Sequence, residues 1–236
     1  MDFSIDLGGM YEGPRYYIDR AQEVEAAGFD AVWFGDHIQP WFHEGGRAPF
    51  AWSWIPAALE QTDAIPIGVW VTPPMYRYHP LVLANAIATI DQLQPGRFLT
   101  GVGTGEHMNE HPFVEEWPSW SERARGLVES IDIMRTYWES DEFFSYDGQQ
   151  YSFDPVYAYE QPVTEQQIIC SATGPDSARL AARHADHLVT LDVVPDVKER
   201  VIDVYHDHGG DTCRPSAATG MRMRSSTASA TRSRRR

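Results

Sequence analysis

Short β-branched or aromatic runs alternate along the chain with longer segments whose apolar positions recur at helical spacing, the order expected of βα units around a parallel sheet. Strand-like runs fall at residues 3–7, 31–34, 65–71, 98–102, 167–171 and 187–191. The first helical segment opens at Pro14, places Tyr17, Ile18, Ala21, Val24 and Ala27 on one face, and stops at Gly28. Proline in the first turn and glycine just past the last are the usual helix punctuation. Further helical segments are predicted near 53–63, 80–93, 120–139, 176–185 and 196–208. Residues 142–153 break the rhythm with two alternating runs around Asp147-Gly148, a hairpin signal that predicts an excursion from the sheet.

Six rounds make three quarters of an eight-round barrel. The expected fold class is therefore α/β, a TIM (β/α)8-type barrel, incomplete, with a hairpin insertion. Residues 1–211 form the barrel domain in this reading, and residues 212–236 a basic, low-complexity, disordered tail. Of those last 25 residues, 20 are Arg, Ser, Thr or Ala, with no apolar period to build a core. A disrupted reading frame near residue 211 is the expectation that fits this change of composition. The alternative is a basic tail that binds nucleic acid or an acidic partner.

Charge sharpens the contrast. Seven of the 19 basic residues follow residue 211 and none of the 34 acids does, so the body carries 12 cations against 34 anions. Lys198 is the single lysine. Such a surface suits a cytosol of multimolar salt, where screening suppresses self-repulsion, and points to a halophilic source. The same field repels polyanions, which disfavours nucleic acid as a partner of the body. No apolar run reaches the length of a membrane span, and Met1-Asp2-Phe3-Ser4 lacks the basic start of a secretory signal, so the expected location is cytoplasmic. Cys170 and Cys213 are too few for a disulfide framework and are expected to stay thiols.

Candidate chemistry gathers at strand ends of one polarity. Asp36, His37 and Trp41 lie in Gly35-Asp36-His37-Ile38-Gln39-Pro40-Trp41 after the second strand, Trp70-Val71 close the third, Thr104-Gly105-Glu106 follow the fourth, and Ser171-Ala172-Thr173-Gly174 follow the fifth. In a parallel barrel these ends share the rim that carries active sites. An imidazole near carboxylates can exchange a proton near neutrality. The run Gly101-Val-Gly103-Thr-Gly105 departs from the dinucleotide fingerprint, and no helix is predicted to open at once behind it. Its expected use is to let a flat ring approach the backbone, or simply to make a tight turn. The turn 171–174 reads equally as a phosphate cradle or as a plain helix cap. Metal ligation is not expected: there is no His-x-His on the first strand and no His-Glu-x-x-His on a helix, although His37, His43 and Glu44 lie close together. Gly-x-Ser-x-Gly is absent too, which argues against a serine hydrolase.

Gly35-Asp-His-Ile-Gln-Pro-Trp41, Gly45-Gly-Arg-Ala-Pro-Phe50, Trp54, Arg77-Tyr-His-Pro80, Pro95-Gly-Arg97 and Gly101-Val-Gly-Thr-Gly-Glu106 with Asn109-Glu110 together resemble the bacterial-luciferase-like superfamily. The branch most similar is the deazaflavin (coenzyme F420) dependent dehydrogenases, over roughly residues 15–192. The resemblance implies an oxidoreductase that moves a hydride between a small alcohol-type substrate and the deazaflavin. It casts His37 as the base, Glu106 as the acid for the reduced ring, and Trp41 as the aromatic that stabilises developing charge. Asp36 is tied to cofactor and site geometry. It also implies a non-proline cis peptide at Trp70-Val71, and cofactor contacts at Asp36, Trp70, Val71, Thr104, Gly105, Ser171, Ala172, Thr173 and Gly174. An FMN-dependent monooxygenase is the alternative within the superfamily, and an inactive product of a disrupted frame the alternative outside it. A homodimer is implied where the barrel is intact. Glu12 stands at a shifted spacing from Pro14, and Asp192-Val193-Val194 stand where the sugar-phosphate branch has a lysine. Without a cation to hold a dianion, a phosphorylated sugar is not the expected substrate.

Overall fold

The computed structural model describes residues 3–191 and 195–210. The expectations for residues 192–194 and for the tail from 212 onward lie outside the described residues.

Six parallel strands form one sheet: β1 (Ser4–Asp6), β2 (Ala31–Phe34), β3 (Ile67–Thr72), β4 (Phe98–Val102), β7 (Ile168–Ser171) and β8 (His187–Val189), hydrogen-bonded in that order. The hairpin β5 (Phe144–Asp147) and β6 (Ser152–Val156) stands apart as an antiparallel pair, as the Asp-Gly signal predicts. Between strands run α1 (Pro14–Ala26), α2 (Ala51–Glu60), α3 (Pro80–Leu93), α4 (His107–Glu110), α5 (Trp120–Glu139), α6 (Pro175–His184) and α7 (Pro195–Asp207). The sheet curls into an incomplete TIM barrel, and among the described residues β1 and β8 are its two edges.

Parallel strands are buried on both faces, so each must supply two apolar surfaces. The outward side chains of Val32, Phe34, Ile67, Val69, Ile168 and Cys170 join the main core with Ile55, Leu59, Leu83, Ile87, Leu127 and Met134 from the helices. On the opposite face Trp33, Ile169 and Val189 pack with Trp70, Val71 and Leu99. Trp33 fits there because its neighbour in register is Gly68, where a β-carbon would come 2.3 Å from the indole. Trp70 meets it edge-on at 6.2 Å.

Polar clamps, of which Asp91 is buried, fix the loops that lead into the strands. Asp91, near the end of α3, accepts the backbone N–H groups of Gly96, Val163 and Thr164 at 2.7–2.8 Å and the Thr164 hydroxyl at 2.6 Å. Arg97 donates to the carbonyls of Leu59, Thr62 and Ile65, which ties the end of α2 to the start of β4. Glu25 receives the N–H groups of Asp63, Ala64 and Ile65 and so binds α1 to the approach of β3.

Candidate active site

Three consecutive strand ends meet at one rim. From the end of β2 come Gly35, Asp36 and His37; from β3 come Thr72 and the loop with Arg77 and Tyr78; from β4 comes the turn to Glu106, then α4 with Asn109 and Glu110.

Asp36 is the buried centre of the first half of this network. Its carboxylate accepts from Tyr78 Oη at 3.0 Å, from Thr72 Oγ1, and from the Arg77 guanidinium at 3.3 Å. Arg77 also donates to the Asp36 carbonyl at 2.9 Å and, through Nε, to Glu110 Oε1 at 2.9 Å. The side chains of Arg77, Asp36 and Glu110 are 5%, 0% and 1% exposed, so these are interior ion pairs whose charges depend on one another. Burial works against the Arg77 cation, but Asp36, Tyr78 and Glu110 outweigh it and its pKa is raised. Burial also raises the Glu110 pKa, although Arg77 and the Glu106 N–H pull it down. Burial and the Asp36 charge push the Tyr78 phenol above its usual range, so it stays a donor.

The second half carries the proton-active groups. Glu110 Oε2 receives the Glu106 N–H at 2.5 Å and fixes the turn in which Gly105 adopts φ +80°. A β-carbon on Gly105 would lie 3.0 Å from that same oxygen, so glycine is required there twice over. Asn109 Oδ1 accepts the N–H groups of Ile38 (2.8 Å) and Gln39 (3.1 Å). Its Nδ2 reaches Glu106 Oε2 at 2.7 Å and His37 Nδ1 at 3.0 Å. His37 Nδ1 and Glu106 Oε2 are 3.9 Å apart, and Trp41 stands edge-on to the imidazole at 6.0 Å. Burial lowers the His37 pKa, opposed by Glu106 and Asp36 and reinforced by Arg77. The Glu106 side chain is half exposed.

Asp36, His37, Trp41 and Glu106 are thus brought together, and the Trp70-Val71 peptide is cis. Two readings need correction. A one-turn helix, His107–Glu110, opens directly behind Gly105-Glu106 where none was expected; four residues are too few for a periodic signal. The space beside Gly101 and Gly103 is taken by β3 itself: β-carbons there would meet Val69 O at 2.2 Å and Val71 Cγ2 at 2.8 Å. These glycines serve strand packing, the tight-turn reading. At the turn after β7, the N–H groups of Thr173 and Gly174 both donate to Ser177 Oγ at 3.2 Å, so the cap is filled from within the chain. Ser171 lies beside the β4 end, and a β-carbon on Gly103 would be 3.8 Å from that of Ser171. Thr72, Arg77, Tyr78, Asn109 and Glu110 had no role assigned from sequence. Two signals were available: Arg77-Tyr-His-Pro80 and Asn109-Glu110 stand among the motifs of the resemblance, and Arg77 is a rare cation in an acidic body.

The sequence profile of the luciferase-like monooxygenase family matches residues 3–233. The chain belongs to that family. Among relatives of this luciferase-like chain, the F420-dependent glucose-6-phosphate dehydrogenase of Nakamurella multipartita is 40% identical over 178 residues, covering 75% of this chain and 52% of that protein. The enzyme of the same name from Amycolatopsis mediterranei is 39% identical over 198 residues, covering 79% and 59%. The chain therefore spans little more than half the length of these relatives. Among solved structures, an F420-dependent secondary alcohol dehydrogenase in complex with an F420-acetone adduct superposes with a TM-score of 0.83 at 33% identity, over 89% of this chain and 65% of that one. The coenzyme F420 dependent tetrahydromethanopterin reductase of Methanopyrus kandleri, at 20% identity and a TM-score of 0.74, shares the fold over 88% of this chain and 62% of its own. Among the described residues no helix is long and apolar enough to cross a membrane, and no cluster of His, Cys, Asp or Glu is arranged to hold a metal ion.

Proposed function

We propose that this chain is a coenzyme F420 dependent oxidoreductase acting on a small, unphosphorylated alcohol or its carbonyl counterpart. The observation that carries the reading is the meeting of His37 and Glu106 on one amide, Asn109, at the strand-end rim where β3 closes with the half-buried Trp70-Val71 pair.

The residues present fit the cofactor. Trp70 and Val71 are half-buried and offer an apolar shelf to a flat ring. The Thr104 and Ser171 hydroxyls, half-buried on the same rim, make no hydrogen bond among the described residues and are free to meet a polar ligand. A β-carbon on Gly174 would meet nothing within 4 Å, so the turn ahead of α6 leaves room for a cofactor tail, although its Thr173 and Gly174 N–H groups already donate to Ser177 Oγ. Gly105 and Thr173 belong to the same strand-end turns, Ala172 is buried behind them in the main core, and Asp36 holds the floor in place through Thr72 and Arg77.

When bound, the deazaflavin supplies a hydride donor and acceptor at ring carbon C5, and the chain supplies everything else. His37 exchanges the proton of the substrate oxygen; its lowered pKa keeps it neutral at physiological pH. Glu106 serves the proton of the ring. Each such group is worth on the order of 10²–10⁴ in rate. Trp41 supports charge beside the imidazole. The relatives named for glucose 6-phosphate share the F420 dependence in name and are named for a different, phosphorylated substrate. The secondary alcohol enzyme, matched at 33% identity, is the nearer chemistry for an aromatic rim with Trp41, Phe42 and Phe50 exposed.

Titration of the purified chain in multimolar KCl with F420, and separately with FMN, following cofactor fluorescence, tests the proposal. Saturable binding of F420 alone is expected. Tighter binding of FMN would replace the reading with a flavin monooxygenase, and binding of neither would overturn it.

A further inference from the structure

The Asn109 amide has only one orientation that satisfies its neighbours. Its oxygen is held by two backbone donors, Ile38 N at 2.8 Å and Gln39 N at 3.1 Å. Turning the amide over would set an NH2 group against two N–H groups and an oxygen against the Glu106 carboxylate, losing three hydrogen bonds at once. Nδ2 therefore stays the donor toward both Glu106 Oε2 and His37 Nδ1.

A ring nitrogen that receives a hydrogen bond carries no proton, so a neutral His37 has its proton on Nε2. Nε2 makes no hydrogen bond among the described residues. Its edge of the ring passes close to Gly35, where a β-carbon would lie 2.6 Å away, so glycine at 35 leaves the imidazole room to take this pose.

We infer that Asn109 is a positioning residue that locks His37 as an Nε2–H donor, so that the folded site receives the carbonyl form of the substrate. This rests on the oxidoreductase reading above for its ligand, but the tautomer is a property of the chain alone. A carbonyl oxygen accepts the Nε2–H bond directly. An alcohol proton cannot be taken up at Nε2 until the ring proton has moved to Nδ1, which requires Asn109 to release its bond and Glu106 Oε2, now 3.9 Å away, to close in. The neighbours of His37 that set its charge state are Asp36 on its own loop, Arg77 from the β3 loop and Glu106 from the β4 turn, with Glu110 behind Arg77. One amide thus couples the two proton-active groups and biases them.

Long-range proton–nitrogen NMR of the histidine-labelled full chain at pH 8, without cofactor, tests this, with H37Q identifying the His37 signals. The wild type is expected to show His37 wholly in the Nε2–H form. In N109D one carboxylate oxygen still accepts from Ile38 and Gln39, while the other faces His37 as an acceptor. The ring proton is therefore expected to move to Nδ1 and the His37 titration to shift to higher pH. Free imidazole side chains already favour Nε2–H, so the flip in N109D is the decisive signal. N109S, which removes the donor without adding a charge, is expected to give a mixture of tautomers and serves if N109D does not fold. A wild-type mixture, or folded variants with the wild-type pattern, would overturn the inference. Failure to bind F420 would leave this readout untouched and would count only against the oxidoreductase reading.

Discussion

Arg77 holds two buried carboxylates, and removing it tests the floor of the site most directly. In R77M the side-chain stem keeps its packing, but Asp36 loses the guanidinium at 3.3 Å and Glu110 loses Nε at 2.9 Å. Breaking a buried pair by deleting one partner typically costs about 3–5 kcal/mol. Asp36 retains Thr72 and Tyr78, and Glu110 retains the Glu106 N–H, which places the expectation near the lower end, about 3 kcal/mol. For a chain of this size that lowers Tm by roughly 6–12 °C. The effect carries a pH signature. Burial already raises the Glu110 pKa with Arg77 pulling against it, so in R77M it rises further. A group whose folded pKa exceeds its unfolded value favours the folded state below the unfolded pKa and loses that contribution as pH rises through the folded value. R77M is therefore expected to suffer more at pH 8 than at pH 5. Denaturant unfolding of both proteins at the two pH values, at fixed KCl, makes the measurement. A loss under about 1 kcal/mol at pH 8, or one that grows toward pH 5, would refute the paired-carboxylate account. R77K, with one point charge in place of a planar fork, is expected to fall between.

Two further outcomes follow from the scaffold. D91N retains one acceptor but sets an NH2 group against backbone donors, leaving one or two of the N–H groups of Gly96, Val163 and Thr164 unmet, for an expected cost of about 2–4 kcal/mol by denaturant unfolding. Burial opposes the Asp91 carboxylate, but its four hydrogen bonds lower its pKa, so the stability it contributes is present above the ordinary value of 3.8 and fades as pH falls below it; D91N should flatten that acid limb. G68A drives a methyl group to 2.3 Å from the Trp33 ring and 2.9 Å from the Leu99 β-carbon and is expected to cost about 1–3 kcal/mol, with the W33V/G68A double variant losing less than the sum of the two single losses; simple additivity would contradict the proposed contact.

The elements and their class are legible in the residue pattern alone. β2, β4, α3 and α5 fall at the predicted limits, since strongly apolar runs and long periodic segments with caps such as the Ser119–Glu122 box leave little freedom in where a strand or helix forms. The polarity of a parallel sheet then sends Asp36, Val71, Glu106 and Ser171 to one rim without further information. Tertiary structure alone decided how the rim is wired. Asp36 and Arg77 are 41 residues apart and His37 and Asn109 are 72 apart, and local pattern carries no record of bonds at that separation. It also decided that Gly101 and Gly103 are filled from β3, and that the Thr173 and Gly174 N–H groups are capped by Ser177, because those outcomes depend on what occupies the space beside a residue. Asn109 makes the division plain. Its side chain is one amide among polar neighbours in sequence, and becomes the hinge between acid and imidazole only because two strand ends bring four hydrogen-bonding partners to it.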